Sequence, residues 1–294
     1  MARLRQRIQW RIEWLRQNIR HRRRILTDWL VTRFISRRKI VSTPLGFRLA
    51  VRGFAACREM AKGEFEPDEI KLAAELLKAA DAFVDVGANV GLYTCLARSM
   101  GRPVVAIEPQ RANLECLYAS LSANGWAENV EVFPVALSSR AGLMTLYGAS
   151  GPSASLLGGW DGYSRRYAQT VPTALLDTLL GNRFSGRRLL IKIDVEGAEY
   201  EVLQGASQIL RAEPKPVWLV EVFFNECHPS GMNPHFAAVF ETFWQNGYEA
   251  HFADARRTPV SPGDVKRWVE TGRKDYYVYN YVFQPVGVRS GCGD

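Results

Sequence analysis

From Phe83 onward the chain alternates short apolar runs with longer stretches of helical period. The apolar runs lie near residues 82–86, 103–107, 130–136, 189–194, 217–223, 247–252 and 276–284. The early runs are apolar throughout, not at every second position, which is the pattern of parallel strands covered on both faces. Strands alternating with helices predict an α/β protein, a mostly parallel sheet with helices on both sides. Residues 67–79 begin Pro-Asp-Glu and continue as an Ala/Leu/Lys run, predicting a helix that leads into the first strand. Upstream, Thr43-Pro44-Leu45-Gly46 marks a boundary. The expected organisation is an arm at 1–40, a helical extension at 41–78, a main domain at 79–285 and a tail at 286–294.

Two segments break the alternation. Residues 3 to about 39 read as one or two helices, with Ile8, Ile12, Leu15, Ile19 and Leu26 on one face and Trp10, Trp14 and Trp29 flanking it. Further on, a Gly/Ser-rich loop separates Leu143–Tyr147 from Tyr167–Val171 and carries Ser153, Ser155, Trp160, Asp161, Tyr163, Arg165 and Arg166. Its flanks are expected to pair as a hairpin. A loop of this length in a compact domain is expected to be a lid or a binding loop. Trp160 and Tyr163 support that use, because ring faces are costly to leave in water.

The chemistry concentrates where the first strand ends. Asp85-Val86-Gly87-Ala88-Asn89-Val90-Gly91 reads as a strand tip, a glycine-bearing turn and a helix start. Glu108 ends the next apolar run, about 20 positions on, where an acid can accept hydrogen bonds from ribose hydroxyls. A dinucleotide fingerprint needs a second glycine to clear space for the pyrophosphate, and Asn89 stands there. The Asp85 carboxylate would repel a pyrophosphate but suits the ammonium of a methionine moiety. These features favour S-adenosylmethionine over a dinucleotide. A tight turn that holds no ligand is the plainer alternative.

Asp85 to Thr94 resembles the first motif of the FkbM family of S-adenosylmethionine-dependent methyltransferases. Ile107-Glu108-Pro109 with Asn113 and Leu117 resembles the second motif, and Val135-Ala136-Leu137-Ser138 the third. Leu176 to Leu180 resembles the fourth, and Ile191-Lys192-Ile193-Asp194-Val195-Glu196-Gly197-Ala198-Glu199, continuing through Ala206, the fifth. The likeness spans roughly 79–285. It implies a Rossmann-like class I methyltransferase fold of seven strands in the order 3-2-1-4-5-7-6. It also implies O-methylation of a sugar, glycan or polyketide-type product. Asp85 would hold the methionine ammonium, and Gly87, Ala88, Asn89, Gly91 and Thr94 would form the cradle. Glu108 and Pro109 would meet the ribose, and Ala136 the adenine.

The acceptor chemistry is expected at the next strand tips, because parallel strands open their carboxyl ends onto the ligand crevice. Asp194 and Glu196 are two apart and on an extended strand would share a face, which makes them the leading base candidates. Capping the helix start or binding Lys192 is the competing role, and Glu199 follows at that helix start. A paired-carboxylate metal site lacks an evident third ligand, so no metal is expected. Glu221 ends the fifth strand and is expected to hold a substrate hydroxyl, together with Ser153, Ser155, Trp160 and Tyr163 from the loop. His228 is the histidine near a strand's carboxyl end and is the further base candidate.

Charge and cysteines refine the setting. The net charge of +8 is local: residues 1–40 hold thirteen Lys or Arg against Glu13 and Asp28, a surplus of +11, which leaves −3 for the rest. Five cysteines, Cys57, Cys95, Cys116, Cys227 and Cys292, form no C-x-x-C pair and read as small buried hydrophobes in a reducing cytoplasm. No apolar run is long enough to span a bilayer, and the N-terminus lacks a signal-peptide core. Three uses of the arm stay open: docking on the body or a partner subunit, lying on an anionic membrane face, or binding nucleic acid, the weakest of the three. An Arg-rich, acid-poor start is also a feature of transit peptides, although serine is scarce here. A dinucleotide-dependent oxidoreductase and a non-catalytic scaffold are the rival functions.

The membrane reading of the arm has a direct test. Full-length protein should co-sediment with anionic vesicles, less so as salt rises, and not at all once residues 1–40 are removed. If it ignores such vesicles and the truncation turns an oligomer into a monomer, the apolar stripe is a subunit contact.

Overall fold

The structure, a computed structural model, describes residues 38–148, 154–162, 168–274, 276 and 278–287. The helical arm, Ser153 and Tyr163 lie outside the described residues. Strand β1 (Lys39–Ser42) and β2 (Arg48–Val51) pair antiparallel around the Thr43–Gly46 turn. Helices α1 (Phe54–Lys62) and α2 (Pro67–Ala79) follow. The segment expected as a helical extension thus opens as a hairpin before its helices. Backbone polar groups explain the difference, because both edges of β2 find partners. Besides its pairing with β1, β2 donates from Ala50 N to Ser120 Oγ at 2.9 Å and from Arg48 N to Asn124 Oδ1 at 2.9 Å. Those acceptors lie well down the chain, beyond any local pattern.

The main sheet has eight strands. Strands β3 (Ala82–Val86), β4 (Val104–Ile107), β5 (Val130–Phe133), β9 (Leu189–Ile193) and β10 (Val217–Glu221) run parallel. Strand β13 (Asn280–Pro285) lies antiparallel between β10 and β11 (Tyr248–Phe252). The spatial order is β5-β4-β3-β9-β10-β13-β11, followed at the edge by β12 (Pro259–Val260). The expected order 3-2-1-4-5-7-6 is therefore present, and the two-residue β12 makes the eighth strand. Its register with Ala250 and His251 is too short to leave a sequence signal.

Pleating sorts the strand residues between two cores. On β3 and β9, Ala82, Val84, Val86, Leu189, Ile191 and Ile193 face one core, which also holds Phe236, Phe240 and Phe243 of α7 (Phe236–Gln245). Phe83 and Leu190 face the other, under α2, α3 (Leu92–Ser99) and α4 (Arg111–Ala123). Asp85 and Lys192 fall on this second face and stand directly opposite each other in register.

Pro134 ends the third parallel strand at Phe133, earlier than the apolar pattern implies, because proline offers no N–H to the ladder. The chain restarts as β6 (Ala136–Leu137) in a second, three-stranded sheet with β7 (Gly142–Tyr147) and β8 (Ala168–Ala174). The β7–β8 pairing is the expected hairpin. Helices α5 (Leu176–Leu180), α6 (Glu199–Gln204) and α8 (Pro262–Thr271) complete the layers. Among the described residues no helix is long and apolar enough to cross a membrane.

Both glycines of the first turn are needed by the protein itself. Gly87 has φ +85°, and a Cβ there would sit 1.8 Å from the Asp194 carbonyl oxygen. Gly91 has φ +92°, and its Cβ would meet Leu117 Cδ1 at 2.6 Å. Gly87→Ala should therefore lower stability by about 3 kcal/mol or more in urea unfolding. Gly101→Ala, at φ +76° with open space around it, should cost only about 1–2 kcal/mol. Equal losses would show that the Asp194 carbonyl yields easily.

Candidate cofactor and acceptor site

A cavity enclosing about 1060 Å³, counting its open mouth, lies at the carboxyl ends of β3, β4, β9 and β10. Its wall can be followed strand by strand. Val135, Ala136 and Leu137 line one end, after β5, and Glu108 and Pro109 stand at the tip of β4. Gly87, Ala88 and Asn89 form the turn after β3. Lys192, Asp194 and Glu196 follow β9, and Glu221 and Phe223 end β10. Met60, Phe65 and Glu66 of the N-terminal extension cover the β3–β9 side together with Tyr93.

Glu108 is held rigidly. Its Oε2 accepts from Asn89 N at 2.8 Å and its Oε1 from Gln110 N at 2.7 Å. Asn89 reaches this position through φ +50°, a left-handed conformation that asparagine tolerates better than most residues. The Asn113 side chain also hydrogen-bonds this carboxyl. Burial pushes the Glu108 carboxyl up to about 7, against the pull of those backbone donors.

Asp85 does not reach the cavity wall. Its carboxyl is buried at 1% exposure, accepts from Thr94 Oγ1 at 2.6 Å and faces Lys192. Thr94, at 0% exposure, is spent on that bond. The expected direct contact between Asp85 and a methionine ammonium is corrected accordingly: Asp85 and Thr94 stiffen the turn from below. Gly91 supports the helix start in the same indirect way, donating to Ala88 O at 2.8 Å.

Asp194 and Glu196 come together, though not on an extended strand. Strand β9 stops at Ile193, and Glu196 adopts φ +58°. One ligand atom each from Asp194, Glu196 and Glu221 lies within 4.8 Å of the others. Spacing along the chain showed no third acid because Glu221 comes from the neighbouring strand. Lys192 Nζ donates to Asp194 Oδ2 at 2.7 Å. Burial would raise the Asp194 carboxyl, but the Lys192 ammonium outweighs it and holds the group below its ordinary value. Burial, then the Asp194 charge, pushes Glu196 and Glu221 well up, and Glu221 shares a hydrogen bond with Asp194.

Trp160 is not a substrate surface. It is buried at 1% exposure against Gly197, where a Cβ would meet its ring at 2.4 Å. Its Nε1 donates to Glu196 Oε2 at 2.7 Å, and Ser155 Oγ donates to Glu196 O at 2.5 Å. The loop between β7 and β8 therefore grips Glu196 at both side chain and backbone, which stabilises its left-handed turn. Ala154 and Leu156 are the loop residues on the wall. His228 also stands back: its ring packs edge-on against Trp160 at 6.1 Å, and Nδ1 accepts from Ser230 N at 3.1 Å. His228 is not among the residues that line the cavity. Glu199, buried at 1% exposure, accepts from Gly197 N at 2.9 Å and serves the turn.

The sequence model for the methyltransferase FkbM domain matches residues 85–250. The chain belongs to the FkbM methyltransferase family. This family is S-adenosylmethionine-dependent. A hexuronic acid methyltransferase, AglP of Haloferax volcanii, is 29% identical over 149 residues, which is 50% of this chain and 59% of that protein. The match thus spans less than two thirds of the relative's length. A solved methyltransferase FkbM from Methylobacillus flagellatus KT is 16% identical, with a TM-score of 0.42, over 70% of this chain and 44% of that one. An O-methyltransferase from Bacillus cereus in complex with SAH is 14% identical, with a TM-score of 0.43, over 78% of this chain and 84% of that one. The fold assignment itself rests on the strand order described above.

The FkbM cofactor suits this cavity in chemical character. Apolar Val135–Leu137 offers a face for a nucleobase, Glu108 offers anchored acceptors for a diol, and the acids after β9 and β10 favour a cation. Lys192, Tyr93 and Glu66 were absent from the expected set of site residues. Lys192 was seen only as a partner for Asp194, and Glu66 lies before Pro67, upstream of any motif.

The buried carboxyls give a pH signature without ligand. Glu108 and Glu199 both rise from 4.5 to about 7, chiefly through burial. Acids with raised native values hold their stabilising contribution at low pH and lose it as pH climbs through the native value. Unfolding free energy should fall between pH 4.5 and about 7, by roughly 3 kcal/mol for each group. Glu108→Gln should flatten its share of that slope in urea titrations at several pH values. An unchanged slope would refute the assignment.

Proposed function

We propose that the protein is an O-methyltransferase whose acceptor is a hydroxyl of a sugar, a glycan or a polyketide-type product. The observation that supports this reading is the triad of Asp194, Glu196 and Glu221 beyond Lys192 on the cavity wall. Lys192 holds the Asp194 carboxyl below its ordinary value, while burial and then the Asp194 charge push Glu196 and Glu221 up. Such a wall offers both acceptors and donors within a few ångströms, which is what a polyhydroxylated molecule needs. The resemblance to a hexuronic acid methyltransferase agrees with a sugar-type acceptor.

When bound, S-adenosylmethionine supplies an electrophilic methyl carbon on a sulfonium. Glu108 would orient the ribose, and the turn Gly87–Asn89 with Val135–Leu137 would fix the nucleoside. Asp194 would take the acceptor proton as its oxygen attacks, with Lys192 stabilising the carboxylate beforehand. Glu196, fixed by Trp160, would hold a neighbouring hydroxyl and set the angle of approach. Alignment of this kind contributes as much as ~7–11 kcal/mol to a displacement.

Two substitutions separate these roles. Glu108→Ala should weaken S-adenosylhomocysteine binding by roughly tenfold to 150-fold in calorimetry. Asp194→Asn should leave that binding within a few-fold while lowering turnover of a sugar acceptor by ~10²–10⁴. A larger turnover loss in Glu196→Gln would transfer the base to Glu196. Loss of cofactor binding in Asp194→Asn would make that residue structural.

A further inference from the structure

The cavity wall above β3 and β9 carries a buried cation and buried carboxylates side by side. Lys192 is 4% exposed, yet its side chain reaches the wall. Its Nζ lies 4.5 Å from the centre of the Tyr93 ring and gives one hydrogen bond to Asp194. An ammonium has three donors, so two remain for other acceptors. Glu66 sits beside it, at the start of α2, with φ +43°, a strained value for a residue of its kind. Its Oε2 accepts from Tyr93 Oη at 2.7 Å, and the residue lines the cavity. Tyr93 thus touches both groups and sets their spacing. Glu66 also lies outside the segment 85–250 that carries the family match.

Strand order gives this pair its place. Neighbouring strands are about 4.8 Å apart. In the order β5-β4-β3-β9-β10 the apolar face lies after β5, the diol-binding acid at β4 and the acidic triad at β9 and β10. Lys192, on β9, and Glu66 line the same cavity as the diol site and the triad, with Lys192 in contact with Asp194. A molecule laid along that path presents its nucleoside to β4 and β5 and its reacting end to β9 and β10. Between them the wall offers one donor cation for a carboxylate and one acceptor carboxylate for an ammonium. That is the charge pattern of an α-amino acid. Asp85, the expected ammonium partner, is sealed beneath the turn and leaves this task open.

We propose that Lys192 and Glu66, spaced by Tyr93, form the subsite that recognises the amino-acid end of the cofactor: Lys192 binds its carboxylate and Glu66 its ammonium. The proposal rests on the cofactor reading above. Calorimetry on the full chain tests it with three ligands: S-adenosylhomocysteine, its decarboxylated analogue, and 5′-methylthioadenosine, which lacks the amino acid altogether. Wild-type protein should bind S-adenosylhomocysteine roughly tenfold to 150-fold more tightly than either of the others. Lys192→Met should bring the ratio between S-adenosylhomocysteine and its decarboxylated analogue to within about threefold. Glu66→Gln should reduce the ratio by a smaller factor. Should Lys192→Met fail to fold, the wild-type comparison of the two truncated ligands and the Glu66→Gln variant still decide the matter. A wild-type ratio near one, or an undiminished ratio in a folded Lys192→Met, would overturn the proposal and leave Lys192 as a neutraliser of buried acids. Absence of binding by all three ligands would instead overturn the cofactor reading itself.

Discussion

A single ammonium, that of Lys192, makes the acidic side of this cavity sustainable. Asp85, Glu66 and Asp194 all act on it, and it is 4% exposed. Carboxylates taken out of water without a counter-charge would neutralise or destabilise the fold. Here their combined field outweighs the burial that would otherwise lower the lysine, so its charge persists. The effect is selective. Asp194, in direct contact, stays ionised, whereas Glu196 and Glu221 are pushed toward the protonated state.

Around that centre the backbone is packed with little slack. The Gly87 turn presses against the Asp194 carbonyl, and Asp194 N donates to Val86 O at 2.9 Å. The position of the Asp194 carboxylate is therefore tied to the turn that shapes the nucleoside side of the cavity. The two sides of the cavity are thus joined through one packed backbone contact. The loop between β7 and β8 adds a second constraint through Trp160, whose indole lies on Gly197 and bonds Glu196. Asp161 N donating to Cys227 O at 2.8 Å pins the same loop to the segment after β10. A non-glycine residue at φ +58° persists because these contacts over-determine it.

The N-terminal extension contributes more than a covering layer. Its hairpin packs on α4 through Ser120 and Asn124, and its helices bring Met60, Phe65 and Glu66 over the cavity mouth.

Much of this protein is local in origin, and that part could be read from the chain. Apolar runs such as Phe83–Val86 and Leu189–Ile193 announce buried parallel strands because every side chain in them is covered. Helix α2 begins at Pro67 because proline suits the first turn. The glycines at 87 and 91, Glu108 at a strand end and the pairing of β7 with β8 follow from equally local chemistry. The reasons behind them were partly tertiary: Gly87 makes room for a neighbouring strand's carbonyl, and Asp85 is sealed against Thr94 and Lys192. The hairpin at 39–51, the third acid at Glu221, the arrival of Glu66 beside Lys192, the withdrawal of His228 and the use of Trp160 as a brace were decided only by folding. Each joins residues from different elements, and the forces involved, desolvation and charge pairing across a few ångströms, depend on distance in space and leave no periodic mark along the sequence.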